Sequence, residues 1–202
     1  RCQMTGLYLV TEDGLGVAGG VADALRQLGA RAVVLPAALL SDPAALRAMA
    51  EEQRVKQGPV QGILHLAPLV AVPNPATEEE WHRLIRHYVL SLFHLVQGCA
   101  VDLQAAGQAG QGVVLSATLL GGAFGRNGRG GTGPVASGGV AGFLQCIAAE
   151  WPSCAARMLD LDESLSPSVM GQRIMEELLY GEGSSEVGFP QGERTVFEVA
   201  PV

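Results

Sequence analysis

Several groups in this 202-residue sequence could do chemistry if the fold brought them together. The stretch Val10-Thr11-Glu12-Asp13-Gly14-Leu15-Gly16-Val17-Ala18 follows an apolar run and opens a helix-like run at Val21-Ala22-Asp23-Ala24-Leu25. A strand, a glycine-bearing turn and a helix in that order can cradle a pyrophosphate on backbone amides. Here the turn carries two carboxylates and few glycines. A second stretch, Gly125-Arg126-Asn127-Gly128-Arg129-Gly130-Gly131-Thr132-Gly133, could wrap an anion with two guanidiniums, or be a surface loop. It lacks the Gly-Lys-Ser/Thr ending of a P-loop.

His82, His87 and His94 share one predicted helix, but their spacings of five and seven do not set two imidazoles on one metal. Cys2, Cys99, Cys146 and Cys154 lie far apart with no ligand-like spacing, which reads as free thiols in a reducing cytosol. No metal site is expected. Ser116 ends an apolar run and His65 ends another, so each reads as a polar strand end.

Residues 6–11, 30–35, 60–66, 112–116 and 155–161 read as buried strands. Helices are expected from about Gly16 to Leu28, from Pro43 to about Gln57, and from Pro167 to about Leu179; the last two begin at Ser-Asp-Pro and Ser-Pro. The longest helical pattern runs from about Glu78 to Ala106, with Trp81, Leu84, Ile85, Tyr88, Val89, Leu92, Leu95 and Val96 at three- and four-residue steps. Val140, Phe143, Leu144, Ile147 and Trp151 mark another amphipathic helix. Residues 186–189 and 195–199 flank Gln191-Gly192 as a closing hairpin. Strands alternating with helices predict an α/β fold, a truncated Rossmann-like parallel sheet with helices on both faces.

A net charge of −7 argues against nucleic acid or an anionic membrane as the main partner. With 48% apolar residues and 27 glycines the chain suits one domain of closely packed layers. No apolar run approaches a membrane span and no signal peptide is expected, which points to the cytoplasm. The ends suggest a piece of a larger multidomain chain.

Leu9-Val10-Thr11, Gly29-Ala30-Arg31-Ala32-Val33-Val34-Leu35, Gly62-Ile63-Leu64-His65-Leu66-Ala67 and Val114-Leu115-Ser116 together resemble the short-chain dehydrogenase/reductase fold. The C-terminal third is more specific. Gly139-Val140-Ala141-Gly142-Phe143-Leu144, Ala149-Glu150-Trp151-Pro152, Leu159-Asp160-Leu161-Asp162 and Gly192-Glu193-Arg194-Thr195-Val196 resemble the ketoreductase regions of modular polyketide and polyunsaturated fatty acid synthases. In that family one half reduces a β-keto group, and a pseudo-reductase half braces it without cofactor.

The resemblance also implies what an active site would hold. At the first turn the family reads close to Thr-Gly-Gly-x-Gly-x-x-Gly. Aligned on Thr11, this sequence has Glu12 and Asp13 at the first two glycines, keeps Gly14 and Gly16 off the pattern, and has Leu15 and Ala18 at the later two. A carboxylate about 4 Å from a phosphate charge costs roughly 4 kcal/mol at an effective dielectric near 20. That ceiling is on the order of a thousandfold in affinity. Pro68 stands where the family has a glycine after His-x-Ala. Between Leu35 and Val60 only one helix fits, where the family has two helices and a strand. The family's Lys position matches Tyr88, its Tyr position Ser137 and its Asn position Ala141, which leaves Ser116 without partners. Tyr8 and Tyr180 lie elsewhere.

The expectation is therefore a non-catalytic subdomain, not an enzyme, holding no cofactor. It would pack against a catalytic ketoreductase subdomain and neighbouring synthase domains of the same polypeptide. The alternatives are an NADPH-dependent β-ketoacyl reductase with an atypical site, and an interaction or dimerisation module of the assembly line.

Overall fold

Strand sequences that are apolar at every position can be buried on both faces only in a parallel sheet covered by helices on each side. The computed structural model, which describes residues 4–126, 128, 131–182 and 184–197, has that arrangement. Its single sheet has seven strands: β1 (Leu7–Thr11), β2 (Arg31–Leu35), β3 (Val60–His65), β4 (Val113–Thr118), β5 (Ala155–Leu161), β6 (Glu186–Phe189) and β7 (Thr195–Val196). They lie in the order β2-β1-β3-β4-β5-β6-β7, all parallel except the last pair. The closing hairpin forms as expected, although Glu198 and Val199 of the anticipated last strand lie outside the described residues. Glu177 ties the hairpin down, since it is buried and pairs with Arg157 of β5 at 2.8 Å and with Arg194.

Each face has its own core. Helices α1 (Val17–Gln27) and α6 (Pro167–Tyr180) bury Val21, Leu25, Met170 and Ile174 against Tyr8, Val10, Leu64 and Leu115. On the opposite face α2 (Pro43–Gln57), α4 (Ser91–Gln108) and α5 (Gly138–Glu150) bury Leu46, Leu92, Leu95, Val140 and Leu144 against Leu7, Leu9, Ile63 and Val114. The capping residues that mark the helix starts act locally. Asp42 accepts from the amides of Ala44 and Ala45 ahead of α2, and Thr77 with Glu80 forms a capping box on α3 (Glu78–Leu84). One helix joins β2 to β3, and β2 is the sheet edge. On that edge the Arg26 guanidinium donates to the Ala32 carbonyl through Nε at 3.2 Å and Nη2 at 2.7 Å.

The longest helical stretch differs from its periodic pattern in one respect. Between α3 and α4, residues Ile85–Leu90 form a π turn. Ser91 Oγ donates to the His87 carbonyl at 2.6 Å and so takes up an acceptor of the regular ladder. Within the stretch Glu78–Gln108 an 18-residue window has a mean hydropathy of 1.3, long and apolar enough to cross a bilayer by length and composition. Its apolar stripe at Leu92, Leu95, Val96, Cys99 and Leu103 is instead buried in the core beside β3.

Candidate functional site

In an open parallel sheet the loops at the carboxyl ends of the strands form the binding crevice. Here three of them interlock: the turn after β1, the segment after β3 and the segment after β4. Thr11 Oγ1 accepts from the amides of Leu66 and Ala67 at 2.8 and 2.9 Å, which joins the first to the second. The Gly14 amide donates to the Leu69 carbonyl at 3.1 Å, and the Val72 amide to the Thr132 carbonyl at 3.0 Å. Pro68 is buried within this crossing segment.

The two carboxylates of the first turn are both spent on backbone amides, Glu12 at the surface and Asp13 half-buried. Glu12 Oε2 accepts from the Ala37 amide at 2.7 Å, past the end of β2. Asp13 takes the opening of α1: Oδ1 accepts from Leu15 N at 2.7 Å and Val17 N at 3.1 Å, and Oδ2 from Ala18 N at 2.6 Å. Gly16 sits at φ 81°, a left-handed conformation that lets the chain turn from this carboxylate into the helix. Gly14 lies under Val70, whose Cγ2 would stand 2.5 Å from a Cβ placed there.

Beyond the turns, a buried polar group joins the carboxyl ends of β3 and β4 to the long helix. His65, Ser91 and Ser116 are fully buried. Ser91 spends its hydroxyl hydrogen on the His87 carbonyl, so it accepts from His65 Nε2 at 2.9 Å. That pattern assigns the imidazole proton to Nε2. Ser116 Oγ lies 3.3 Å from the bare Nδ1 and donates to the His65 carbonyl at 2.7 Å. Burial drives the His65 pKa down to about 3, with a smaller push from His87, so the ring is neutral at physiological pH. Ser137 is buried and donates to the Pro134 carbonyl at 2.5 Å. Its 3-10 turn, Val135–Ser137, packs on the π turn, and Val89 meets the α5 start at Gly139, two residues before Ala141. Tyr88, on the π turn, has a buried ring in edge contact with His87. Among the described residues its hydroxyl has no hydrogen-bond partner, and burial raises its pKa.

Two important residues were not singled out for a role in the sequence. Ser91 looked like one polar residue on a long helix. Asp160, fully buried in β5, organises the loop after β4: Oδ1 accepts from Thr118 Oγ1 at 2.8 Å and Leu120 N at 2.6 Å, and Oδ2 from Phe124 N at 2.7 Å. Phe124 is held at a positive φ of 52°. An acid between two strand leucines was the available clue. Arg126 lies against the rings of Phe124 and Phe197 and pairs with Glu186 at 2.7 Å, so it is not free to hold an anion. Arg129 lies outside the described residues, as does Cys2.

Elsewhere the candidates stay apart. Tyr8 is in the α1 core and Tyr180 is exposed at the end of α6. His87 meets Ser41 and His94 meets Arg47, and no group of three or more metal-ligating residues converges among the described residues. Burial pushes the Cys99 thiol up to about 12 and that of Cys154 to about 11.

A dinucleotide does not fit the turn as it stands, since the α1 amides that would hold its pyrophosphate are taken by Asp13, while Val70 stands where a Cβ on Gly14 would be. The fold nevertheless matches proteins that hold one. A 3-ketoacyl-(acyl-carrier-protein) reductase from Brucella melitensis, complexed with NADH, superposes with a TM-score of 0.73 at 16% identity over 92% of this chain and 96% of its own. An alcohol dehydrogenase from Thermococcus sibiricus, complexed with 5-hydroxy-NADP, gives 0.67 at 14% over 98% and 100%. A gluconate 5-dehydrogenase from Burkholderia cenocepacia, with NADP and tartrate, gives 0.59 at 18% over 80% and 73%. No family model matches the sequence, and no curated protein matches it.

The chain thus has the short-chain dehydrogenase/reductase fold. The same neighbours correct two expectations: that the chain is a non-catalytic brace for another reductase half, and that it is not an enzyme. The missing strand and helix beyond β2 had suggested a remnant, but the sheet and both helical layers span nearly the full length of chains described as reductases and dehydrogenases. Glu12, Asp13, Pro68, Tyr88, Ser137 and Ala141 are the residues that the resemblance sets at the cofactor and catalytic positions of that fold.

Proposed function

We propose that the chain is an NAD(P)H-dependent carbonyl reductase with an atypical site. Its substrate class is a β-ketoacyl group, and its setting a larger synthase polypeptide in the cytoplasm. The synthase setting and the substrate class rest on the residue resemblance of the C-terminal third. The fold neighbours support reductase chemistry.

The observation that carries the reading is the free hydroxyl of Tyr88. Reduction of a carbonyl leaves an alkoxide that needs a proton from a positioned group. The Ser116 and Ser137 hydroxyls donate to backbone carbonyls, and the His65 N–H donates to Ser91. Tyr88 alone of these holds a hydrogen with no acceptor among the described residues, on the π turn that packs against both the Ser137 turn and the start of α5. Widened helical turns recur at functional sites because they re-aim side chains. With no lysine beside it and burial raising its pKa, Tyr88 stays protonated and acts as a donor.

The test is NADPH oxidation with a β-ketoacyl thioester, on the chain and on Tyr88→Phe. Turnover is expected in the parent and a loss of about a hundredfold or more in the variant. The melting temperature should not change, because among the described residues the lost hydroxyl bonds nothing. A parent that never oxidises NADPH refutes the reading.

A further inference from the structure

The misfit between turn and dinucleotide is built from this chain's own groups, and it rests on the reductase reading above. We infer that the free chain holds its dinucleotide cradle shut, with the Asp13 carboxylate as the internal occupant and Val70 bounding one side. The helix opening offers amides to one anion at a time. Asp13 supplies that anion at 2.6 to 3.1 Å from three of them, with both oxygens engaged. Independently, the segment after β3 is drawn against the turn by the Gly14 amide, and the Val70 side chain stands where a Cβ on the exposed Gly14 would be, bounding one side of the turn. A diphosphate seated on these amides must therefore expel a carboxylate and pass Val70. Both residues belong to the segments that follow strands, outside β1, α1 and β3.

An opening of this kind separates two costs. Removing the carboxylate deletes the competitor for the amides along with its repulsion of an incoming phosphate. Truncating Val70 deletes only the steric barrier. The two substitutions act on one pocket from different elements, so their effects on affinity should reinforce each other.

Binding is measured by NADPH fluorescence and by calorimetry with inorganic pyrophosphate, for the chain, Asp13→Asn, Asp13→Ala and Asp13→Ala/Val70→Ala. The asparagine variant keeps an oxygen for the helix amides and guards against loss of folding. The expected result is NADPH binding about tenfold or more tighter in Asp13→Ala than in the parent, with a further gain in the double variant. Equal affinity in parent and Asp13→Ala overturns the shut cradle and leaves the reductase reading standing. Pyrophosphate binding gained without NADPH binding supports the cradle and overturns the reductase reading. Folded variants that bind neither probe overturn both.

Discussion

His65 makes acid sensitivity a property of one buried ring. The imidazole is fully buried between Ser91 and Ser116, and its pKa falls from 6.5 to about 3 because burial disfavours the charged form. In the unfolded chain it titrates near 6.5, so below that pH the unfolded state binds a proton that the folded state refuses. A base with a depressed folded pKa therefore contributes its full stability above the unfolded value. It loses that contribution as the pH falls from 6.5 towards 3. Near pH 5 the loss amounts to about 2 kcal/mol, and near pH 4 to about 3 kcal/mol, at 1.36 kcal/mol for each unit of pKa difference. The perturbation is His65→Gln, which keeps an N–H for Ser91 and removes the titration. Urea unfolding of both proteins from pH 7.5 to pH 4 gives the difference directly. His87, also depressed by burial, is present in both and cancels. The gap between parent and variant should be widest at neutral pH and close by about 2 kcal/mol near pH 5. Parallel pH profiles, or a ring that titrates above pH 6 by NMR in the folded protein, would refute the argument.

Asp160→Asn puts an amide nitrogen where a carboxylate oxygen meets the Phe124 or Leu120 amide, and should cost about 2–3 kcal/mol for the stranded donor. Thermal melting would show this as a drop of roughly 5–10 °C for a chain of this size. Gly62→Ala brings a Cβ to 2.5 Å from the Tyr8 ring and 2.8 Å from Val113 Cγ1. The overpacking should cost about 1–3 kcal/mol in denaturant unfolding, and an unchanged midpoint would mean that the strands shift freely.

The layers were legible because strands buried on both faces leave a continuous apolar signature, as Leu7-Tyr8-Leu9-Val10 and Val113-Val114-Leu115 do. Capping residues placed α2 and α6 almost to the residue, since the signal lies within one turn of its effect. The π turn was hidden, because Ile85, Tyr88 and Val89 satisfy the helical period and only the Ser91 hydroxyl, four residues past His87, disturbs the ladder. The turn at Glu12 and Asp13 was legible in composition and illegible in direction. Its charges looked free to meet solvent or a phosphate, and their amide partners emerge only once the path from Asp13 to Ala18 and the position of Ala37 are fixed. Asp160 shows the same limit over a longer range, since its partners lie 36 to 42 residues away.

The sheet edge at β2 bears on how such a chain behaves in crowded solution. Arg31 donates its amide inward to Gly6, so in a parallel pair the groups of the next residue, Ala32, face outward, where another strand could add. The Arg26 guanidinium holds that outward carbonyl with two N–H donors. A β-strand from another molecule would have to evict an arginine to reach the Ala32 carbonyl, and at the far edge β7, among the described residues, offers two residues as a template. Replacing Arg26 with leucine should leave the fold intact and shorten the lag before the protein forms ordered aggregates. The edge strand thus presents to a second molecule a guanidinium from the neighbouring helix in place of a bare carbonyl.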